Sequence, residues 1–167
     1  MDTDKTVQFL EVILQHKGIL YKVANSYCKN KEDRKDLVQE IAIQLWKSFE
    51  RYDHAYKYST WMYRIALNVA ISFYRKENSR QRISNSLSID IFEFENTEND
   101  LEKEHNLQLL DHLIAKLNHL DKALLLLYLE EKNHAEIAEI IGITTTNVAT
   151  KISRIKAKLK KEFEQLN

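Results

Sequence analysis

In a chain of 167 residues there is no proline, and the only glycines are Gly18 and Gly142. Tight turns, hairpins and bulges draw on those two residue types, so a strand-rich fold has almost nothing to turn with. Long helices joined by polar breaks are the economical alternative, and the expected fold class is all-α. An apolar fraction of 44% suffices for a core. The length admits one ordinary domain or two small ones. Basic and acidic residues balance at 25 each, so an electrostatic partner must be met by local patches. Cys28 stands alone, which excludes an internal disulfide and suits a reducing compartment. The N-terminus lacks the basic lead and apolar run of a signal peptide. No stretch nears the roughly 20 apolar residues that cross a bilayer. A soluble intracellular protein without membrane insertion is expected.

Apolar residues at three- and four-residue steps (Phe9, Leu10, Ile13, Leu14, Leu20, Val23, Ala24, Tyr27) predict a first helix over 7–28. A second, opening near an N-cap at Asp33, turns Leu37, Ile41, Leu45, Trp46 and Phe49 inward. Ser59 or Thr60 is the expected cap of a third, with Met62, Ile65, Ala66, Val69 and Phe73 on its apolar face. From residue 79 the period dissolves and the charge turns from basic to acidic. Residues 79–100 therefore read as a linker, whose Leu87, Ile89, Ile91, Phe92 and Phe94 are expected to dock on something. Beyond it, Leu107, Leu110, Leu113, Ile114 and Leu117 mark a fourth helix, and the run at 123–129 the next. Two helical modules, 1–78 and 101–167, are expected on either side of that linker.

Residues 134–161 have the grammar of a helix-turn-helix. Ile137, Ala138 and Ile141 line the inner face of a short helix, and Gly142 stands where the chain must leave it. Thr144 is positioned to cap the next helix, along which Val148, Ile152, Ile155 and Leu159 form one apolar stripe. The other side presents Thr145, Thr146, Asn147, Thr150, Lys151, Ser153, Arg154 and Lys158. Hydroxyls and an amide at a helix start suit base edges, while lysine and arginine neutralise phosphates. The stretch YSTWMYRIALNVAISFYRK, residues 58–76, also exceeds what a core helix needs: Trp61, Tyr63, Arg64, Asn68 and Tyr74 crowd together ahead of Arg75 and Lys76.

Both halves resemble one family, the bacterial RNA polymerase sigma factors of the extracytoplasmic-function (ECF) group. The first half carries DLVQEIAIQLWKSF and YSTWMYRIALNVAISFYR; the second carries LLLLYLEEKNHAEIAEIIGIT followed by NV and ISRIKAKLK. The resemblance implies core RNA polymerase and promoter DNA as partners, admits an anti-sigma factor, and implies neither enzymatic activity nor a cofactor. It implies that Arg51, Lys57, Tyr58, Trp61, Arg64, Asn68, Arg75 and Lys76 serve the minus-ten element, with the loop from Arg51 to Lys57 as the lid of a pocket for a flipped base. Trp61 is equally open to a core role. Asp36, Gln39 and Glu40 would grip the polymerase, and the helix-turn-helix residues the minus-thirty-five element.

The pattern also departs from the family's. Ala149 stands where a basic residue is frequent, Thr145 and Thr146 replace a small or apolar pair, and Glu131 replaces a common glycine. His105, His112 and His119 recur every seven residues, but on a helix neighbours at that spacing lie about 10.5 Å apart, too far to share a metal. A stand-alone helix-turn-helix regulator with a sensing or dimerising N-terminal module is the competing reading. An all-helical interaction protein without a DNA role is the third.

Overall fold

A computed structural model describes residues 3–81 and 101–166, and among these every regular element is helical. The helices are α1 (Thr3–Tyr27), α2 (Lys31–Ser48), α3 (Tyr58–Gln81), α4 (Leu101–Ala115), α5 (His119–Leu129), α6 (His134–Ile141) and α7 (Thr145–Leu166), with a 3-10 turn at Phe49–Arg51 after α2. The residues expected to dock from the linker lie outside the described residues. No described helix is long and apolar enough to cross a membrane.

The first three helices pack on one another around Val23, Ala24, Leu37, Ile41, Leu45, Met62, Ala66 and Ala70, all fully buried. Alanine at three of these positions lets helix backbones approach closely. The expected faces were partly misplaced. Leu10 and Leu14 are exposed, and Val12 and Ile19 are buried instead. On α3 the core stripe is Met62, Tyr63, Ala66, Leu67 and Ala70, while Ile65, Val69 and Phe73 are only partly covered. The cap of α2 is Asn30, whose side chain accepts from the N–H groups of Glu32 and Asp33, so Asp33 lies inside the helix. Likewise α3 opens at Tyr58, ahead of both Ser59 and Thr60, and Thr60 is buried.

The second module gathers α4 to α7 around Leu113, Leu124, Leu127, Ile137 and Val148. Its turns are built by side chains. Asn118 caps α5, and Asn133 and Glu136 form a reciprocal capping box on α6. At the end of α5, Glu131 holds φ 58° while the Glu131 and Lys132 N–H groups donate to the Tyr128 and Leu127 carbonyls. That is the Schellman arrangement, which favours glycine at this position. Replacing Glu131 with glycine is expected to stabilise the protein by roughly 0.5–1 kcal/mol, the relieved left-handed strain less the added freedom of the unfolded chain. Urea unfolding should show a higher midpoint at unchanged slope.

The modules also meet. The Tyr27 hydroxyl on α1 donates to the His119 carbonyl at 2.9 Å, and the Tyr74 and His119 rings pack edge to face with centroids 4.6 Å apart. Lys122 of α5, only 6% exposed, holds its amine 5.4 Å from the ring centres of both Tyr27 and Tyr74. Burial pushes the Tyr27 phenol above its usual range and the Lys122 amine below its own. His119 therefore opens α5 against the first module, on a different helix from His105 and His112.

Candidate nucleic-acid interface

An α-helix turns 100° per residue, so Trp61, Arg64, Asn68, Ser72 and Arg75 fall on one stripe of α3. The core stripe is on the far side, and Asn68, Ser72 and Arg75 are exposed, with Lys76 beside them. Ser72 was not among the residues expected from sequence. At the start of the stripe an aromatic cluster is preformed. Tyr52 and Tyr58 stack with centroids 4.4 Å apart and planes 19° from parallel, and Trp61 leans on Tyr52 at 5.2 Å and on Phe49 at 6.1 Å. Trp61 is half-buried, so it closes the core edge and keeps a face towards solvent. The loop before α3 is closed by Tyr52, whose hydroxyl donates to the Tyr56 carbonyl. Arg51 is exposed at the end of the 3-10 turn.

Two cations of this region are engaged across the module boundary. The Arg64 guanidinium lies 5.1 Å from the Tyr56 ring centre and donates through Nη2 to the Glu139 carbonyl of α6 at 2.6 Å. Lys57 Nζ lies 3.7 Å from a Glu136 carboxylate oxygen. Neither contact was legible in the sequence, because 79 positions separate Lys57 from Glu136.

The helix-turn-helix is formed by α6 and α7. Gly142 takes φ 82°, a left-handed conformation that a side chain would strain, and its N–H donates to the Ala138 carbonyl at 2.8 Å. Thr144 Oγ1 accepts from the Asn147 N–H at 3.1 Å, which starts α7. Val148, Ile152, Ile155 and Leu159 are buried as expected. Thr146, Asn147, Thr150, Ser153, Arg154 and Lys158 face outward and are exposed. Thr145 is exposed at the helix start, and Lys151 sits half-buried on the flank. The Thr150 hydroxyl donates to the Thr146 carbonyl at 3.0 Å, leaving its oxygen able to accept. Lys156 points the other way and donates to the Tyr128 hydroxyl at 3.2 Å.

On α2, Asp36 and Gln39 are exposed, and half-buried Glu40 accepts from Gln44 Nε2 at 2.8 Å. Ile43, 47% exposed, continues this stripe one turn on. Among the described residues no cluster of histidine, cysteine, aspartate or glutamate could hold a metal.

Fold and surface together define a two-module helical protein of the DNA-binding class. Residues 12–80 match the family model of sigma-70 region 2, and residues 107–159 match that of sigma-70 region 4. The chain is 31% identical over 143 residues to the RNA polymerase sigma factor SigV of Bacillus subtilis, covering 85% of this chain and 82% of that one. It is 26% identical over 155 residues to the ECF RNA polymerase sigma factor SigM of the same organism, covering 90% and 91%. Two solved structures share the fold. CnrH in complex with the cytosolic domain of CnrY has a TM-score of 0.68 at 20% identity, over 94% of this chain and 88% of that one. RpoE in complex with the anti-sigma factor NepR from Bartonella quintana has a TM-score of 0.70 at 18% identity, over 94% and 97%. The chain belongs to the sigma-70 family of RNA polymerase sigma factors, in its ECF group. It directs promoter recognition and transcription initiation.

Proposed function

We propose a division of labour between the modules. Residues 1–78 bind core polymerase through Asp36, Gln39 and Glu40 and hold the opened minus-ten element; residues 101–167 read the minus-thirty-five element as duplex; residues 79–100 span the two. The observation that carries this reading is the α3 stripe, in which an aromatic cluster, an amide and cations lie along one helix above a preformed loop.

The chemistry follows from the cost of exposing a base. Pulling a base from the duplex costs a few kcal/mol, and stacking it on an aromatic side chain returns about 1–3 kcal/mol. Trp61 and Tyr58 supply the ring surface, with Trp61 abutting the last paired base. Asn68, able to donate and accept, contacts the extruded base beneath the loop from Arg51 to Lys57. Arg51, Lys57, Arg64, Arg75 and Lys76 neutralise the strand's phosphates. No bond is made or broken by the chain, so its role is non-enzymatic, and cytoplasmic like the polymerase's own. An anti-sigma factor is a third partner, as NepR is for the RpoE of the solved complex.

Within α7, Arg154 lies one turn after Thr150, so both enter the same groove, whereas Lys158 lies where the helix passes the backbone. Arg154→Ala should cost about 1–3 kcal/mol and relax preference within the minus-thirty-five element. Lys158→Ala should weaken all sequences alike and reduce the salt slope by roughly one. Competition binding of promoter variants by holoenzyme at several salt concentrations separates the two. Equal, sequence-independent losses would remove base reading from α7.

A further inference from the structure

Between α1 and the start of α2 runs an open groove whose cations take no part in the assignments above. Tyr21 and Asn25 line it from α1, and Lys31, Arg34, Lys35 and Val38 from α2. Those four α2 residues fall at i, i+3, i+4 and i+7, so they share one face, while Glu32 and Asp36 fall on another. Among the described residues none of the three cations is ion-paired, and Arg34 reaches only the Asn30 carbonyl, at 3.4 Å. Tyr21, 55% exposed, and the partly covered Val38 give the groove an apolar floor. Cations along an apolar floor fit an acidic segment that carries large apolar side chains.

The sequence holds such a segment. Ile91, Phe92 and Phe94 sit among Asp90, Glu93 and Glu95, and no lysine or arginine falls between Ile83 and Asp100. Its place in the chain also fits. The Tyr74 ring packs against Tyr27 with centroids 6.5 Å apart, so the last turns of α3 lie beside the α1–α2 turn, where the groove opens. The chain leaves α3 at Gln81, and α4 begins at Leu101. At about 3.3 Å per extended residue the stretch between them can reach roughly 60 Å, enough to visit the groove and return. We propose that residues 87–100 dock in the α1–α2 groove of their own chain. The apolar side chains cover Tyr21 and Val38, and the carboxylates neutralise Lys31, Arg34 and Lys35. Exposed ion pairs are screened, so added salt weakens the docking. The contact is independent of which surfaces meet DNA and polymerase.

The test uses the full chain. A nitroxide on Asn96→Cys, in a Cys28→Ala background, should erase the amide signals of Tyr21, Asn25, Lys31 and Val38 and spare α5 to α7. Adding Lys31→Glu, Arg34→Glu and Lys35→Glu should restore the signals at Tyr21, Asn25 and Val38. Helical content should be kept, because glutamate near a helix start suits its dipole. Chymotrypsin, which cuts after phenylalanine, gives a second reading that needs no introduced cysteine. Where opening is fast, cleavage at Phe92 and Phe94 follows the undocked fraction. It should run about tenfold faster in the glutamate variant, which loses three exposed ion pairs. Asp90→Lys, Glu98→Lys and Asp100→Lys, added to that variant, should bring the rate back towards wild type. Signal loss confined to other surfaces, or cleavage indifferent to the groove charges, would overturn the docking. Signal loss on an unlabelled copy mixed with the labelled one would overturn it too, by assigning the groove to a second chain.

Discussion

The Asp36→Arg, Glu40→Arg double variant is expected to lose association with core RNA polymerase by about a hundredfold or more while keeping its helical content. Reversing two charges within a desolvated contact leaves like charges facing each other, at a cost of several kcal/mol. Asp36 is exposed and Glu40 half-buried, neither belongs to the core of α2, and arginine is a good helix former. The single bond lost inside the chain is Gln44 to Glu40, on the surface of one helix. A loss of fold is therefore not an available explanation for a loss of binding. Pull-down of core polymerase by the purified variant checks it, with circular dichroism alongside. Undiminished capture would remove Asp36, Gln39 and Glu40 from the polymerase contact.

How much of this was legible in the sequence differs between the modules. From Gly142 to Leu159 the structure follows the reading closely, because Gly142, Ile143 and the Thr144 cap leave the backbone one course and α7 has one apolar stripe. On α6 the buried pair is Ile137 and Ile140, while Ala138 and Ile141, expected inside, are only partly covered. In α1 the reading failed at Leu10 and Leu14. A helix of 25 residues carries more than one apolar line, and periodicity alone does not say which of them meets a partner. On α3, Met62 and Ala66 are buried as expected, but Ile65, Val69 and Phe73 are only partly covered, and the close approach of α1 and α2 favours the small Ala70 with Tyr63 and Leu67. Burial pushes the Tyr63 phenol up to about 12. The cap of α2, expected at Asp33, is Asn30, three residues earlier, where the backbone leaves the extended conformation.

The candidate site shows the same division. Outward residues of α7 could be named because one helix carries them. The stacking of Tyr52 on Tyr58 joins the loop to the first residue of α3, a contact that periodicity does not show. The glutamates facing α3 lie in a different module, and nothing in a linear pattern pairs them with Lys57 or Arg64.

Asn68→Ala is expected to reduce open-complex formation by roughly tenfold or more, about 1.4–3 kcal/mol, with little change in binding to closed duplex. Asn68 is exposed on α3, one turn from Arg64 and from Ser72, and lies outside the core. Alanine has the higher helix propensity, so the variant should be no less stable than wild type. The hydrogen-bonding amide is what the substitution removes, and in the proposed assignment its partner is the extruded base. Permanganate reactivity of unpaired thymines, compared with duplex retention, separates opening from binding. Equal losses in both would make Asn68 structural.

Run-off transcription joins the two surfaces in one measurement: purified core polymerase, this protein and a pool of promoter fragments. Sigma function predicts defined transcripts only when the chain is added. The Asp36→Arg, Glu40→Arg variant should abolish them, and Asn68→Ala should reduce them on duplex templates, with recovery when the minus-ten region is opened beforehand. Tight binding of a palindromic duplex by the free protein, with no chain-dependent transcript from any promoter, would contradict it.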